Sequence, residues 1–435
     1  MRTTLKQFVA GMLAMLAREI VRKYRPKIIM ITGSVGKTST KDAVAAALSE
    51  SFQVRKSEKS YNSDFGVPLT IFGVKNPWTS VLAWIGVIGE ASALIIFPNH
   101  YPNLLVLEVG ADRPGDLKRI LKIAKPAAVV VTLLPNVPVH VEAYETPAAV
   151  REEEFLPATA LPAGAPLIVS ADDQYALTRA RLVNARLMTF GMAEEADVRI
   201  EEVGVWEEDG MPFGMKASLV VEGKSHEMKV RGAFGRSQLY APAAATAAAV
   251  SLGVPMKEAL ASLTGYVPPP GRGRIFAGKK GTVLLDDSYN SSPAAVEEAL
   301  RSLELLRGGA PLHGMERRRV AILGDMLELG RYSMAEHARI GHTAYECLDL
   351  LITVGARART IGETAIQDGM AEGTVTSFNN SLDASHAVED LLQEGDIVLV
   401  KGSQGIRLER IVKALLADSG DIHELVRQEQ EWTKR

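Results

Sequence analysis

The segment 31–40 constrains the fold and the chemistry of this chain more than any other stretch. A short apolar, β-branched run over residues 26–31 precedes it and predicts a buried strand. An alanine-rich segment over 41–48 follows, and its residues favour helix. Between the two, Gly33 and Gly36 let the backbone N–H groups close around phosphate oxygens at the positive end of the helix. The pattern predicts a phosphate-binding loop, with a plain glycine turn as the alternative.

Two side chains of this loop are expected to carry the chemistry of nucleotide binding. Lys37 is expected to reach the β- and γ-phosphates, and the Thr38 hydroxyl to bind Mg²⁺. The spacing departs from the full Walker pattern, because Ile31 stands at its first glycine. ATP and Mg²⁺ are therefore the expected cofactors. The residues expected to contact the nucleotide here are Gly33, Ser34, Val35, Gly36, Lys37, Thr38 and Ser39.

Length and charge limit the class of protein. A chain of 435 residues is too long for one ordinary core, so we expect two or three domains. The net charge of −3 argues against a general nucleic-acid binder. Cys347 is the only cysteine, which excludes an internal disulfide and fits a reducing compartment. We therefore expect a cytoplasmic protein with no nucleic-acid partner.

Apolar runs alternate with helical segments in two parts of the chain, which predicts an α/β protein with parallel sheets. The runs expected to be strands are 103–108, 127–132, 166–170, 282–286, 319–323, 350–354 and 396–400. We expect a doubly wound central ATPase domain that contains the phosphate loop, at 27–268, and a smaller Rossmann-like C-terminal domain at 269–435. From about Asp197 onward, apolar and polar residues partly alternate in short runs, which predicts an antiparallel β insertion at about 196–232. The proline- and glycine-rich segment 268–274 is expected to link the domains.

For three other segments the sequence bears on where they lie relative to the domains and to a membrane. Residues 1–26 show helical spacing of apolar side chains, which predicts an amphipathic helix that either packs on the next domain or attaches to the inner membrane surface. Residues 81–97 are apolar apart from Glu90 and predict a buried or interfacial helix. Both stretches are too short to span a bilayer. The polar residues 428–435 are expected to be frayed.

Several further segments narrow the function when they are taken in order along the chain. They are 61–70, 107–111, 271–272, 286–293, 323–330 and 400–403. Together with the phosphate loop, this set resembles the Mur ligase family over residues 28–412, nearly the whole chain. Within that family the chain most resembles the members that add a D-alanyl-D-alanine dipeptide.

The resemblance implies ATP-driven amide formation in peptidoglycan precursor synthesis. A substrate carboxylate attacks the γ-phosphate to give an acyl phosphate and ADP, and an amine then displaces phosphate. Three phosphates, a carboxylate and an oxyanion share such a site, so Mg²⁺ and lysines are required. The implied substrates are a UDP-MurNAc-peptide-like carboxylate and an amino acid or dipeptide, and we expect a monomer. Two alternatives stay open: a ligase for another carboxylate, and an ATP-binding scaffold of cell-wall assembly that has lost turnover.

The family motifs also imply roles for single residues of this sequence. Catalysis is assigned to Lys37, Glu108 and His140, and Mg²⁺ binding to Thr38, Glu108 and His140. Beyond the loop, the nucleotide is assigned to Arg272, Asp287 and Asn290. The substrates are assigned to Asn62, Lys401 and Ser403. Ordinary structural roles are the alternatives for Glu108, His140 and Asn62.

Two departures from the family pattern bear on the function. The family has a carbamylated lysine after the histidine, and Glu153 stands at that position here. Its carboxylate could supply the same charge to Mg²⁺, so we hypothesise a catalytic role for Glu153; a solvated acidic helix face is the alternative. The family's dipeptide-adding members also carry an N-terminal domain that binds the UDP-sugar. Only about 27 residues precede the first core strand here, so no such domain is expected.

Overall fold

The structure is a computed structural model that describes residues 2–78, 80–208, 211–306, 317–429 and 432. Within these residues the chain forms two sheets. The strands of the first sheet precede helix Met256–Leu263 in the sequence, and those of the second begin with strand Arg274–Ala277. Both sheets have helices on their faces, and the α/β fold class predicted from the sequence is confirmed.

The first sheet contains nine strands among the described residues. They are Lys27–Thr32 (β1), Val54–Lys56 (β2), Leu104–Glu108 (β3), Ala128–Val131 (β4), Pro166–Ser170 (β5), Arg186–Gly191 (β6), Val198–Glu208 (β7), Met211–Val221 (β8) and Lys224–Arg231 (β9). Their order in the sheet is β2-β3-β1-β4-β5-β6-β7-β8-β9. The strands from β2 to β7 are parallel, whereas β8 and β9 are antiparallel. The antiparallel strands therefore extend the main sheet at one edge.

Pairing in the centre of this sheet positions the phosphate loop. Strand β1 lies between β3 and β4, and Ile31 is opposite Glu108 in the register. Because the strands are parallel, their carboxyl ends meet at one edge, where ligands bind in α/β folds. The loop that follows β1 and the carboxylate that ends β3 are thereby brought together.

The helices of this part cover the sheet on both faces. They are Arg2–Tyr24 (α1), Lys37–Leu48 (α2), Gly66–Phe72 (α3), Val81–Ile96 (α4), Asp116–Ile123 (α5), Pro147–Thr159 (α6), Gln174–Ala180 (α7), Ser237–Ser251 (α8) and Met256–Leu263 (α9). Helix α2 packs closely against α8, since both present mainly alanine at their contact. Helix α1 packs against α3, α4 and α5 and buries Leu13, Ala17 and Ile20. None of the helices in the described ranges combines the length and apolar character needed to cross a membrane.

The second sheet has the order β10-β11-β15-β12-β13-β14. Its strands are Arg274–Ala277 (β10), Val283–Asp287 (β11), Arg319–Gly324 (β12), Leu350–Val354 (β13), Val375–Phe378 (β14) and Ile397–Lys401 (β15). All are parallel except β10 at one edge. The helices are Pro293–Ser302 (α10), Ser333–Cys347 (α11), Arg359–Gln367 (α12), Ser381–Leu391 (α13) and Glu409–Leu415 (α14).

The C-terminal segment differs from the sequence-based expectation of a frayed end. Glu429 forms an ion pair with Lys59, and the ring of Trp432 lies edge-on to Trp78 at 5.9 Å between centroids. The prediction is therefore wrong for these two residues, because their partners lie on the first domain, hundreds of positions away. The rest of the predicted frayed end beyond Glu429 lies outside the described residues.

Candidate active site

The phosphate loop takes the conformation that its glycines permit. Gly33 has φ 119°, and a Cβ there would collide with Thr132 at the end of β4. Gly36 has φ 86° and caps the N-terminus of α2 in the left-handed region. Both positions favour glycine because other residues rarely adopt these angles. The loop thus brings its backbone N–H groups to the N-terminus of α2, the geometry suited to an anion.

The lysine of the loop is held by a buried carboxylate that the sequence analysis missed. Lys37 Nζ donates to the carbonyl of Gly33 and lies 3.5 Å from Glu154 Oε1. The Ser34 hydroxyl donates to the other oxygen of the same carboxylate at 2.5 Å. Glu154 is 1% exposed and comes from α6. The loop therefore carries a fixed negative charge beside its cation.

Glu108 ends β3 inside the protein and faces the first turn of α2. Its Oε1 accepts hydrogen bonds from Thr38 at 3.2 Å and from Ser60 at 2.5 Å. Its Oε2 is buried and has no hydrogen-bond partner among the described residues. Lys41 Nζ lies 4.0 Å from that oxygen. Burial lowers the pKa of Lys41, although the charges of Asp42 and Glu108 oppose the shift.

These donors fit a magnesium ion that is bound together with a nucleotide. Mg²⁺ in such sites is held by one or two carboxylates, a hydroxyl, phosphate oxygens and waters rather than by a full protein cage. No group of three or more His, Cys, Asp or Glu side chains within the described ranges forms such a cage. Glu108 Oε2 accepts no hydrogen bond from the described residues and lies on the carboxylate that bonds to the Thr38 hydroxyl, so it is free to coordinate the ion.

His140 lies between the two domains. It has φ 64°, and its Nδ1 lies 2.9 Å from Glu328 of the second domain, while its Nε2 lies 3.5 Å from Asp112. Burial disfavours the charged ring, but the hydrogen bond to Glu328 and the two carboxylate charges outweigh it and raise the pKa of His140. The same hydrogen bond lowers the pKa of Glu328. The structure therefore gives His140 two carboxylate neighbours that sequence spacing did not predict.

Glu153 has contacts other than those expected from the resemblance. Its Oε1 accepts from the backbone N–H groups of Gly115 and Leu117, at 3.1 and 3.0 Å. These amides lie at the start of α5, where unpaired donors favour a carboxylate. A contact of Glu153 with Mg²⁺ stays a prediction, whereas its capping of α5 is what the structure shows.

The residues predicted in the second domain lie close together. The guanidinium of Arg272 stacks on the ring of Tyr289 at 4.3 Å. Lys401 is 3% exposed and donates to Asp287 at 2.6 Å and to the carbonyl of Asn290 at 3.1 Å. The structure therefore pairs a residue predicted to meet the substrate with two predicted to meet the nucleotide.

A cavity of about 1150 Å³ joins the two domains at this edge of the first sheet. The predicted residues that line it are Ser34, Gly36, Lys37, Thr38, Asn62, Glu108, His140, Arg272, Asn290 and Ser403. The predicted residues that lie outside its lining are Gly33, Val35, Ser39, Glu153, Asp287 and Lys401. Phe65, Trp78 and Trp84 add an aromatic wall, and Trp84 belongs to α4. The volume suits a ligand larger than one small metabolite.

A phosphate loop that faces a second α/β domain across a shared cavity defines a nucleotide-dependent enzyme of two domains. The family profile described as "Mur ligase middle domain" matches residues 31–249, and "Mur ligase, glutamate ligase domain" matches residues 271–404. The chain belongs to the Mur ligase family. This confirms the predicted resemblance, and with it an ADP-forming ligase that uses ATP and Mg²⁺.

Curated relatives and solved structures agree with this assignment. The chain is 26% identical over 413 residues to the UDP-N-acetylmuramoyl-tripeptide–D-alanyl-D-alanine ligase of Bacillus subtilis, covering 93% of this chain and 79% of that protein. It is 28% identical to the ligase of the same name from Mycobacterium tuberculosis (strain H37Rv), covering 90% and 73%. It also resembles the MurF ligase of Thermotoga maritima in complex with ADP, with TM-score 0.75, 23% identity and coverage of 93% and 83%.

Proposed function

We propose that this Mur ligase joins a D-alanyl-D-alanine-like dipeptide, or an amino acid, to the terminal carboxylate of a UDP-MurNAc-peptide. The names of its relatives support these substrates. The observation that carries the proposal is the buried Glu108 carboxylate, which bonds to Thr38 through one oxygen, accepts no hydrogen bond from any described residue at the other and lines the same cavity as Lys37. That arrangement provides a cation, a metal ligand and a phosphate cradle at one wall of a cavity.

The first domain would bind and orient the triphosphate. The backbone of the loop and the ammonium of Lys37 hold the phosphates, and Thr38 and Glu108 hold Mg²⁺. Bound there, Mg²⁺ neutralises phosphate charge during transfer. Glu154 fixes the direction of the Lys37 side chain, because it contacts both Lys37 and Ser34. For His140 the predicted contact with Mg²⁺ stays part of the proposal, and its bond to Glu328 links the two domains beside that position.

The second domain would supply the remaining contacts with the nucleotide and the acceptor. Arg272, whose guanidinium lies over the ring of Tyr289, and Asn290 line the cavity and are proposed to contact the nucleotide. Asn62 and Ser403 line it as well and are proposed to contact the two substrates. For Lys401 we propose an indirect role through Asp287, since its ammonium is already bound and buried.

We also infer the setting in which the enzyme works. Its substrates and its single reduced cysteine suggest the cytoplasm, and we propose a monomer with the domain boundaries predicted from the sequence. The N-terminal helix packs on the first domain through Leu13, Ala17 and Ile20, which supports the first of its two predicted roles. Contact of this helix with a membrane is part of the proposal.

The test is ADP release by the purified chain with Mg²⁺, ATP, UDP-MurNAc-tripeptide and D-alanyl-D-alanine, with each substrate omitted in turn. Release that requires both the carboxylate and the amine, with formation of the joined peptide, is the expected result. ADP release only with a different carboxylate would show that the protein is a ligase for another substrate. ATP binding without turnover for any pair would contradict the proposal and favour the scaffold. The Lys37→Ala variant is the control for contaminating activity.

A further inference from the structure

Helix α4 presents apolar side chains on the outside of the protein. Its 16 residues include one charged side chain, Glu90. A helix that is apolar on all sides is normally buried on all sides. In this fully described helix the buried residues are only Val87, Ala91 and Leu94. Most of an unusually apolar helix therefore faces away from the core.

The exposed side of α4 carries large apolar side chains near both ends, and small residues and Glu90 are exposed between them. The large exposed side chains in and directly after the helix are Val81 (72%), Leu82 (81%), Ile85 (60%), Ile96 (69%) and Phe97 (63%), which we call the α4 stripe. Between them, a Cβ added to Gly86 or Gly89 would meet no atom within 4 Å. Apolar patches of this extent mark sites of contact with proteins or membranes.

Helix α1 fixes α4 to the body of the protein at the C-terminal end of both helices. Lys23 Nζ donates to the carbonyls of Leu94 and Phe97 at 2.9 and 2.6 Å. The hydroxyl of Tyr24 donates to the same Leu94 carbonyl at 2.8 Å. These bonds satisfy carbonyls that the end of a helix leaves without partners. The α4 stripe is thus held in place rather than left to move freely.

Positive charge accompanies the apolar surface on α1. Its exposed side carries Phe8 and Met15, followed by Arg18 and Arg22. The one acidic residue of the helix, Glu19, lies 2.9 Å from Arg22 and offsets part of that charge only. Apolar and basic side chains therefore follow each other along α1, next to the α4 stripe.

This combination fits a lipid surface better than a protein surface. A protein interface of ordinary size contains about one hydrogen bond for every 100–200 Å². The α4 stripe offers no side chain that could form one, whereas the hydrocarbon region of a bilayer requires none. Basic residues beside an apolar helix face are the pattern that binds anionic headgroups. At roughly 24 Å, α4 is also too short to cross a hydrocarbon core of about 30 Å.

We propose that the α4 stripe, together with Phe8 and Met15 of α1, docks the protein onto the surface of an anionic lipid bilayer. Helix α4 then lies in the plane of the interface, and Arg18 and Arg22 meet the headgroups. Trp84 lies between Val81 and Ile85 in the sequence of α4 and lines the active-site cavity. The same helix therefore contributes to the cavity wall and to the docking surface.

The proposal is tested by co-sedimentation of the full chain with vesicles, without any substrate, so that the outcome is independent of the ligase reaction. The vesicles contain phosphatidylglycerol and phosphatidylcholine, or phosphatidylcholine alone, at low and high salt. We expect binding that requires the anionic lipid and weakens with salt. The variant Leu82→Glu/Ile85→Glu is expected to lower the partition coefficient by at least about tenfold.

A matched variant separates this surface from exposed apolar residues in general. Leu182 and Met334 are 75% and 77% exposed and belong to neither α1 nor α4, so Leu182→Glu/Met334→Glu should bind vesicles like the unaltered chain. Retained ADP binding by both variants shows that the fold is intact. Equal binding by the Leu82→Glu/Ile85→Glu variant would overturn the proposal. So would a lack of binding to anionic vesicles, or a dimer in solution that this variant dissociates.

Discussion

Each domain contains a lysine next to a carboxylate, and the two pairs differ in tightness, in burial of the lysine and in access to the cavity. Lys401 is 2.6 Å from Asp287, and neither residue lines the cavity. Lys37 is 3.5 Å from Glu154, and its side chain lines the cavity. A tight pair away from the cavity is expected to contribute mainly to stability, whereas a loose pair at its wall leaves the ammonium available to a ligand. We therefore expect Lys401 to act only indirectly, by holding Asp287 in place, and Lys37 to bind phosphate directly.

The largest effect is expected from the tight pair. Lys401→Met leaves the partly buried Asp287 without its cation, and breaking a pair in this way costs up to about 3–5 kcal/mol of unfolding free energy. Urea unfolding measures the change. Lys279→Met is the matched control, because its partner Glu389 and Lys279 itself are both exposed and the pair contributes about 0–1 kcal/mol. A loss below 1 kcal/mol for Lys401→Met would remove the distinction between the two domains.

The loose pair should matter for turnover instead. Lys37→Ala removes the cation proposed to meet the transferring phosphate, and ADP release should fall about 10²- to 10³-fold. Its unfolding free energy should change less than that of Lys401→Met, because the Ser34 hydroxyl still bonds to Glu154. Steady-state kinetics and urea unfolding on the same preparation check both statements. A large loss of stability with little loss of turnover would show instead that Lys37 serves the fold and not the reaction.

The carboxylate of the loose pair is expected to have an intermediate effect. Glu154→Gln keeps the shape but removes the charge that orients Lys37, which should reduce turnover by about 10- to 100-fold. Glu153→Gln, one position earlier, is the matched comparison. If Glu153 only caps α5, turnover stays near normal and stability falls by about 0.5–1 kcal/mol.

A loss of turnover for Glu153→Gln as large as that for Glu154→Gln would instead support the predicted role of Glu153 at Mg²⁺. Adding bicarbonate should have no effect on either variant, since neither position carries a lysine that CO₂ could modify.

The smallest effect is expected from the pair between the domains. Because the pKa of His140 is raised in the folded state, its contribution is complete below the ordinary histidine value of about 6.5. It is lost as the pH rises through the folded value. At acidic pH the contribution falls again, since the pKa of Glu328 is lowered. His140→Gln should remove a pH-dependent part of the stability of about 1 kcal/mol or less, measured by urea unfolding between pH 6 and 9.

The sequence predicted the parts of the site that depend on local order along the chain. A strand, a glycine loop and a helix follow one another around Lys37, and Glu108 ends a strand that parallel pairing places beside the loop. The short strands β2 and β14 were not predicted, because three or four residues give too little periodicity. The sequence could not show which of Glu153 and Glu154 faces the phosphate loop. Adjacent residues of a helix point about 100° apart, and the rotation of α6 about its axis is set by tertiary packing.

Contacts between the domains were beyond sequence reasoning for a different reason. His140 and Glu328 are separated by almost two hundred positions, and nothing local marks them as neighbours. Within the second domain, Lys401 and Asp287 are also far apart in the sequence, and the resemblance assigned them to different ligands. The apolar character of α4 was visible in the sequence, but its exposed side depends on which face α1 and the first sheet cover.

Trp84 makes α4 part of the cavity wall, and the α4 stripe lies on the outside of the same helix. A protein docked through this stripe would hold its cavity at a fixed height and angle above the bilayer. Its water-soluble substrates would then enter only from the directions that the membrane leaves open.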